Sequence, residues 1–142
     1  MKPLGLNSVL TVGGVGRGPQ LRTIQRGVNI VIATPGRLND FINSREIDVS
    51  SVRYLVLDEA DRMLDMGFEP QIRQVVRNMK GKRQTQFYSA TWPKEVQRLA
   101  LDLCGEEHVH VTVGSTQLSA NPNVKQTVTV VQAKGRISQF LF

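Results

Sequence analysis

Short apolar runs alternate with segments of helical periodicity along most of the chain. Ser8 to Val12 predicts a strand closed by Gly13 and Gly14. Leu21 and Ile24, continued by Val28, predict a short helix over 19–26 that Gly27 stops. The apolar run Asn29 to Ala33 predicts a second strand. Thr34 then stands where a helix N-cap belongs, and Pro35 takes the first helical position, where its missing N–H costs nothing. Leu38, Phe41 and Ile42 give that helix one apolar face. Val52 to Leu57 predicts a third strand running straight into Asp58-Glu59-Ala60-Asp61. Ile72, Val75, Val76 and Met79 fall at i, i+3, i+4 and i+7 on one side of a helix, and Lys80, Gly81, Lys82 and Arg83 mark its exit. Thr85 to Tyr88 predicts a strand ending at Ser89-Ala90-Thr91, and Pro93 opens a helix with Val96, Leu99, Ala100 and Leu103 inward. His108 to Val113 predicts one more strand.

Strands alternating with helices require crossover connections, which implies an α/β fold around a mostly parallel sheet. Ligands of such sheets gather beyond the carboxyl ends of the strands. Four polar clusters fall at those ends: Gly13-Gly14, Thr34 to Arg37, Asp58 to Asp61, and Ser89 to Thr91. Past Gly114 the pattern changes. Residues 115–123 are polar and turn-rich, as in a linker. Val124 to Val131 alternates like a strand, and 135–142 starts a helix, which reads as the beginning of a second domain.

Composition narrows the class. With 142 residues, 40% of them hydrophobic and 21% charged, the chain has the make-up of a globular protein and the size of one domain. No apolar run approaches the ~20 residues that span a bilayer. The start, Met1 to Gly5, lacks a signal-like apolar stretch, and the single Cys104 suits a reducing compartment. These features predict an intracellular protein, nuclear or cytoplasmic, without membrane contact. The net charge is +6, and residues 1–45 hold most of it: Lys2, Arg17, Arg22, Arg26, Arg37 and Arg45 face Asp40 alone. A local basic excess suits a polyanion, although solvated basic faces are common. Arg73, Arg77, Lys80, Lys82 and Arg83 read as such a solvated face. His108 and His110 share a strand face, but two imidazoles are too few for a zinc site.

The acidic cluster carries the sharpest chemistry. A strand ending in Asp-Glu fixes carboxylates at a sheet edge, where they hold Mg²⁺ and a water beside nucleotide phosphates. The plainer alternative is a surface helix that opens with acids because they suit its dipole. Thr34-Pro35-Gly36-Arg37 offers free N–H groups and a cation, which fit a backbone phosphate. Its plainer alternative is a good helix start. Ser89-Ala90-Thr91 places two hydroxyls at a neighbouring strand end and says little alone.

Taken in order, Gly13-Gly14, Thr34-Pro35-Gly36-Arg37, Asp58-Glu59-Ala60-Asp61 and Ser89-Ala90-Thr91 resemble the motifs of the DEAD-box RNA helicases, and Trp92-Pro93 resembles the p68-like branch. The resemblance spans essentially the whole chain. It implies a RecA-like fold, with residues 1–114 in the carboxyl half of the first helicase domain. It also implies ATP and Mg²⁺ as cofactors and RNA as a partner, held by its sugar-phosphate backbone, with ribonucleoprotein partners besides. By resemblance, Asp58 holds Mg²⁺ through water and Glu59 positions or deprotonates the attacking water. Asp58, Asp61, Ser89 and Thr91 serve the nucleotide site, Asp61 bonding to Ser89 and Thr91. Gly13, Gly14, Thr34, Pro35, Gly36 and Arg37 meet RNA.

The family's upstream glutamine motif, its glycine-rich Lys-Thr phosphate loop and its first RNA motif have no counterpart here, since no G-x-x-x-x-G-K-[ST] occurs. The arginine fingers of the second domain have none either. The expectation is a partial sequence of an ATP-dependent RNA helicase, inactive by itself. The alternative is a short, catalytically inactive RNA- or partner-binding module. A strand adjacent to Gln84–Tyr88 is expected to be missing, leaving Val96, Leu99 and Leu103 partly exposed.

Overall fold

The computed structural model describes residues 5–114, 123–125 and 127. The expected linker at 115–123 and domain start at 124–142 lie almost wholly outside the described residues. The chain divides into two compact units, Met1–Val111 and Thr112–Phe142. The elements below all belong to the first.

Their order is β1 (Ser8–Thr11), α1 (Arg17–Gln25), β2 (Ile30–Ala33), α2 (Pro35–Asn43), β3 (Tyr54–Leu57), α3 (Ala60–Asp65), α4 (Glu69–Arg77), β4 (Gln84–Phe87) and α5 (Lys94–Cys104). β1 runs parallel to β2, with Val9 opposite Val31, and β3 runs parallel to β4, with Leu57 opposite Phe87. A parallel pair cannot be closed by a hairpin and needs a crossover. α1 supplies it for the first pair, and α3 with α4 supplies it for the second. Among the described residues the strands form two two-stranded sheets.

Each pair rests on its own apolar cluster. Val9, Ile24 and Phe41 pack beneath β1 and β2. Leu57, Ile72, Leu99 and Leu103 pack beneath β3 and β4. A third cluster, Val49, Val75 and Met79 with Leu38, Ile42 and Leu55 against it, joins α2 to α4 and so links the two halves. Phe41, at 0% exposure, serves as the anchor of α2, as its place on the apolar face predicts. Fully burying a residue of that size contributes about 2–3 kcal/mol.

Three expectations need correction. No strand is formed at His108–Val113: Val109, Val111 and Val113 are 87%, 74% and 94% exposed, so the alternating valines bury no face. Val96, Leu99 and Leu103 are buried, because α5 lies against β4 and α3. On the strands, the exposed large apolar residues are instead Leu10, Ile32, Tyr54 and Val56, on faces pointing away from the clusters. Arg73 is more than a solvated cation, since it donates to Glu69 at 2.9 Å and to Asp102 at 2.7 Å and so ties α4 to α5.

Candidate nucleotide and RNA edge

Two hydrogen bonds carry the β3–β4 ladder past the strand ends. Tyr88 N–H donates to the Leu57 carbonyl at 2.8 Å, and Ala60 N–H donates to the Tyr88 carbonyl at 3.1 Å. This continuation sets Asp58 to Asp61 beside Ser89 to Thr91. Between the two bonds the chain makes a sharp turn, with Glu59 in the left-handed region at φ 51°, ψ 46°. Ala60 is thereby turned fully inward, while Asp58 and Glu59 stay exposed. A non-glycine residue in this region costs about 1–2 kcal/mol, and such cost gathers at functional sites.

Asp61 is the hub of the cluster. Its Oδ2 accepts from the Thr91 hydroxyl at 2.7 Å and from Thr91 N–H at 2.9 Å, while Oδ1 accepts from Arg62 N–H at 3.0 Å. Ser89 also bonds to Asp61, as the resemblance implies: its hydroxyl accepts from Asp61 N–H at 3.3 Å and donates to the Thr91 carbonyl at 2.8 Å. The Thr91 hydroxyl is the main cause that holds the Asp61 carboxyl below its ordinary range. Partial burial opposes it, and the backbone N–H groups of Arg62 and Thr91 reinforce it.

Asp58 uses Oδ1 to accept Glu59 N–H at 3.0 Å. Its exposed carboxylate fits a hydrated Mg²⁺, which keeps most of its waters and takes only one or two carboxylates from a protein. Glu59 lies 3.6 Å from Arg62, both side chains largely in water, so this ion pair is weak. Trp92, next to Thr91, meets Phe87 edge to face at 6.2 Å and stacks on His110 at 4.6 Å.

The other two motifs meet at the β1–β2 pair. Thr34 N–H donates to the Thr11 carbonyl at 3.0 Å, which places the start of α2 beside the end of β1. Thr34 occupies the N-cap of α2 with Pro35 next, but its hydroxyl makes no capping bond. Gly14 turns the loop after β1 with φ of 74°, a conformation that favours glycine. Gly36 lies in the first turn of α2, with 3.4 Å between the place of an added Cβ and Gln71 Oε1. Arg37 is not splayed toward solvent. Its Nη1–H donates to the Val15 carbonyl at 3.1 Å, Asp40 lies 3.7 Å from Nε, and the side chain is only 16% exposed. Arg17 is likewise engaged, bonding to Glu46 and Ser44 and lying 4.6 Å over the Phe41 ring. The charge excess of the first 45 residues therefore overstates the free cations there.

A surface depression of 320 Å³ near Ile42, Asp48, Asn78 and Lys80 contains none of the motif residues. Gly13, Gly14, Asp58, Glu59 and Thr91 are exposed at the strand ends. Sequence reasoning missed three contributors. The strain at Glu59 has no compositional signature. Gln20 had one, a polar residue four before Ile24 on the inward face of α1. The ring of His110 finds Trp92, a contact that no periodicity encodes.

A family model described as DEAD/DEAH box helicase matches residues 1–99. The ATP-dependent RNA helicase dbp2 of Schizosaccharomyces pombe is 57% identical over 126 residues, covering 89% of this chain and 23% of that protein. The ATP-dependent RNA helicase p62 of Drosophila melanogaster is 55% identical over 118 residues, covering 83% of this chain and 16% of its own length. Among solved structures, a hypothetical ATP-dependent RNA helicase from Sulfolobus tokodaii aligns with a TM-score of 0.70 and 31% identity, over 75% of this chain and 32% of that one. This chain thus spans no more than about a quarter of those two curated relatives. With the family model matching more than half of its residues, the chain belongs to the DEAD/DEAH box helicase family, and its fold is RecA-like α/β.

Proposed function

We propose that these residues form the Mg²⁺- and water-positioning strand end and part of the RNA-backbone surface of an ATP-dependent RNA helicase. The observation that carries this reading is the Asp61–Thr91 contact. It fixes the end of β3 to the end of β4 while leaving the Asp58 and Glu59 carboxylates exposed. In this reading Asp58 holds hydrated Mg²⁺, which offsets charge on the transferred phosphoryl group. Glu59 orients or deprotonates the attacking water. The Gly13-Gly14 loop and the start of α2 at Thr34, Pro35 and Gly36 meet the sugar-phosphate backbone, a mode that sets affinity without reading sequence. Exposed strand ends suit a polymer that runs across them.

Phosphoryl transfer depends almost wholly on positioning. With no phosphate loop in these 142 residues, nothing here anchors the β- and γ-phosphates against Asp58 and Glu59. The isolated chain is therefore inactive in this reading. The test is a chimera in which residues 1–114 replace the matching stretch of the fission-yeast relative. RNA-stimulated ATP hydrolysis that Glu59→Gln abolishes is the expected result. A folded chimera with no RNA-dependent hydrolysis overturns the reading.

A further inference from the structure

The loop between β1 and α1 is held by side chains from two helices rather than by its own packing. From α1, Gln20 is 6% exposed and donates Nε2–H to the Val12 carbonyl at 3.0 Å. From α2, Arg37 donates Nη1–H to the Val15 carbonyl at 3.1 Å. Val12 and Val15 bracket Gly13 and Gly14. A Cβ added at either glycine meets nothing within 4 Å, so no neighbouring atoms confine the loop there. A glycine pair in open space has more conformational freedom than any other dipeptide. Its fixed place must come from its two ends, and those are where the two donors sit.

We propose that Gln20 and Arg37 are positioning residues that present the Gly13-Gly14 loop to RNA, and that Arg37 acts through Val15 rather than on a phosphate. This rests on the reading of that edge as an RNA-backbone surface. Arg37 has its guanidinium turned into the protein, between Val15 and Asp40, with most of its side chain covered. Gln20 is buried and neutral, so it reaches RNA only through the loop. It serves as an internal standard for the effect of losing a brace without losing a charge.

Two measurements test this on the 142-residue chain carrying Leu10→Thr and Ile32→Thr, which remove exposed apolar surface outside the core clusters and limit self-association. The first is ¹⁵N relaxation at Gly13, Gly14, Val15 and Gly16, without RNA. Gln20→Met keeps the volume and removes the donor, and Arg37→Met keeps the aliphatic stem should Arg37→Ala fail to fold. In each variant the order parameters of the loop are expected to fall from about 0.85 to below about 0.6. Unchanged values overturn the proposal.

The second measurement is affinity for a uridine oligonucleotide across a salt series. The Arg37 variant is expected to bind roughly tenfold more weakly, the order expected for a lost bond to a charged donor, and the Gln20 variant about threefold, its donor being neutral, each with the slope of log affinity against log salt unchanged. A slope shallower by about 0.7 in the Arg37 variant alone identifies a phosphate contact and overturns the positioning role. Absence of binding by the unsubstituted chain removes the RNA reading, and the relaxation data then decide whether the braces hold the loop.

Discussion

The carboxylate of Asp61 takes both the hydroxyl and the backbone N–H of Thr91, 30 residues further along the chain, at 2.7 and 2.9 Å. One side chain thereby fixes the relative position of the two strand ends that carry the acidic and hydroxyl motifs. Because the acceptor is ionised, these bonds are stronger than neutral ones.

That contact makes stability depend on pH in a definite direction. The folded Asp61 carboxyl titrates below its ordinary value, chiefly through the Thr91 hydroxyl. Its contribution is complete above the unfolded pKa of about 3.9 and is lost as pH falls through the lower folded value. Thr91→Val is expected to cost about 1 kcal/mol at neutral pH, a figure reduced for solvent screening. The two proteins should converge as pH falls below the lowered folded value. Denaturant midpoints across a pH series check this, and a gap that persists in acid contradicts it.

Glu59 holds a left-handed backbone that a glycine adopts freely. Glu59→Gly is expected to leave stability unchanged or raise it by less than about 1 kcal/mol, relief of strain being offset by the looser unfolded chain. Glu59→Val, β-branched at positive φ, is expected to lose about 1–2 kcal/mol. Equal losses in the two variants would show that the turn carries no strain.

Arg73 joins Glu69 on its own helix to Asp102 on α5. Both carboxylates raise its pKa, Asp102 first, so it stays charged at every accessible pH. A double-mutant cycle of Arg73→Ala with Asp102→Ala is expected to give a coupling of about 0.5–1 kcal/mol that shrinks at high salt, since the pair is half in water. A coupling of zero would assign the packing of α4 on α5 to Ile72, Leu99 and Leu103 alone.

The sequence and the structure agree most closely where local chemistry decides the outcome. Pro35 after Thr34, and the i, i+3, i+4 spacing of Ile72, Val75 and Val76, place α2 and α4 within a few residues, because capping and periodicity act over one or two turns. The alternation at His108 to Val113 misleads, since a strand is made by its ladder and the ladders among the described residues are those of β1 with β2 and β3 with β4. The motif residues at the carboxyl ends of β3 and β4 were legible as a group, and the bonds of Asp61 to Ser89 and Thr91 agree with the resemblance. The left-handed turn at Glu59 was not legible, because nothing in the pattern of residue types marks it. Arg37 shows the same limit: its place in the first turn of α2 was legible, and its bond to the Val15 carbonyl was not.

Leu10 lies directly opposite Ile32 in the β1–β2 register, and the two are 56% and 53% exposed. On β3, Tyr54 and Val56 share a face and are 73% and 56% exposed, although Leu57 on the other face is buried. Adjacent apolar side chains on open strands form the kind of surface that soluble monomers rarely leave uncovered. β4, Gln-Thr-Gln-Phe, carries neither charge nor proline to discourage pairing with another chain. The 142-residue chain alone is therefore expected to bind a hydrophobic dye and to self-associate at micromolar concentration. Leu10→Thr with Ile32→Thr keeps β-propensity while removing apolar surface. It should reduce both effects while costing less than about 1 kcal/mol, because neither side chain packs in a core cluster. Light scattering and dye titration decide the matter. A monodisperse, dye-silent monomer with a sharp cooperative thermal transition would show that these faces carry no such liability.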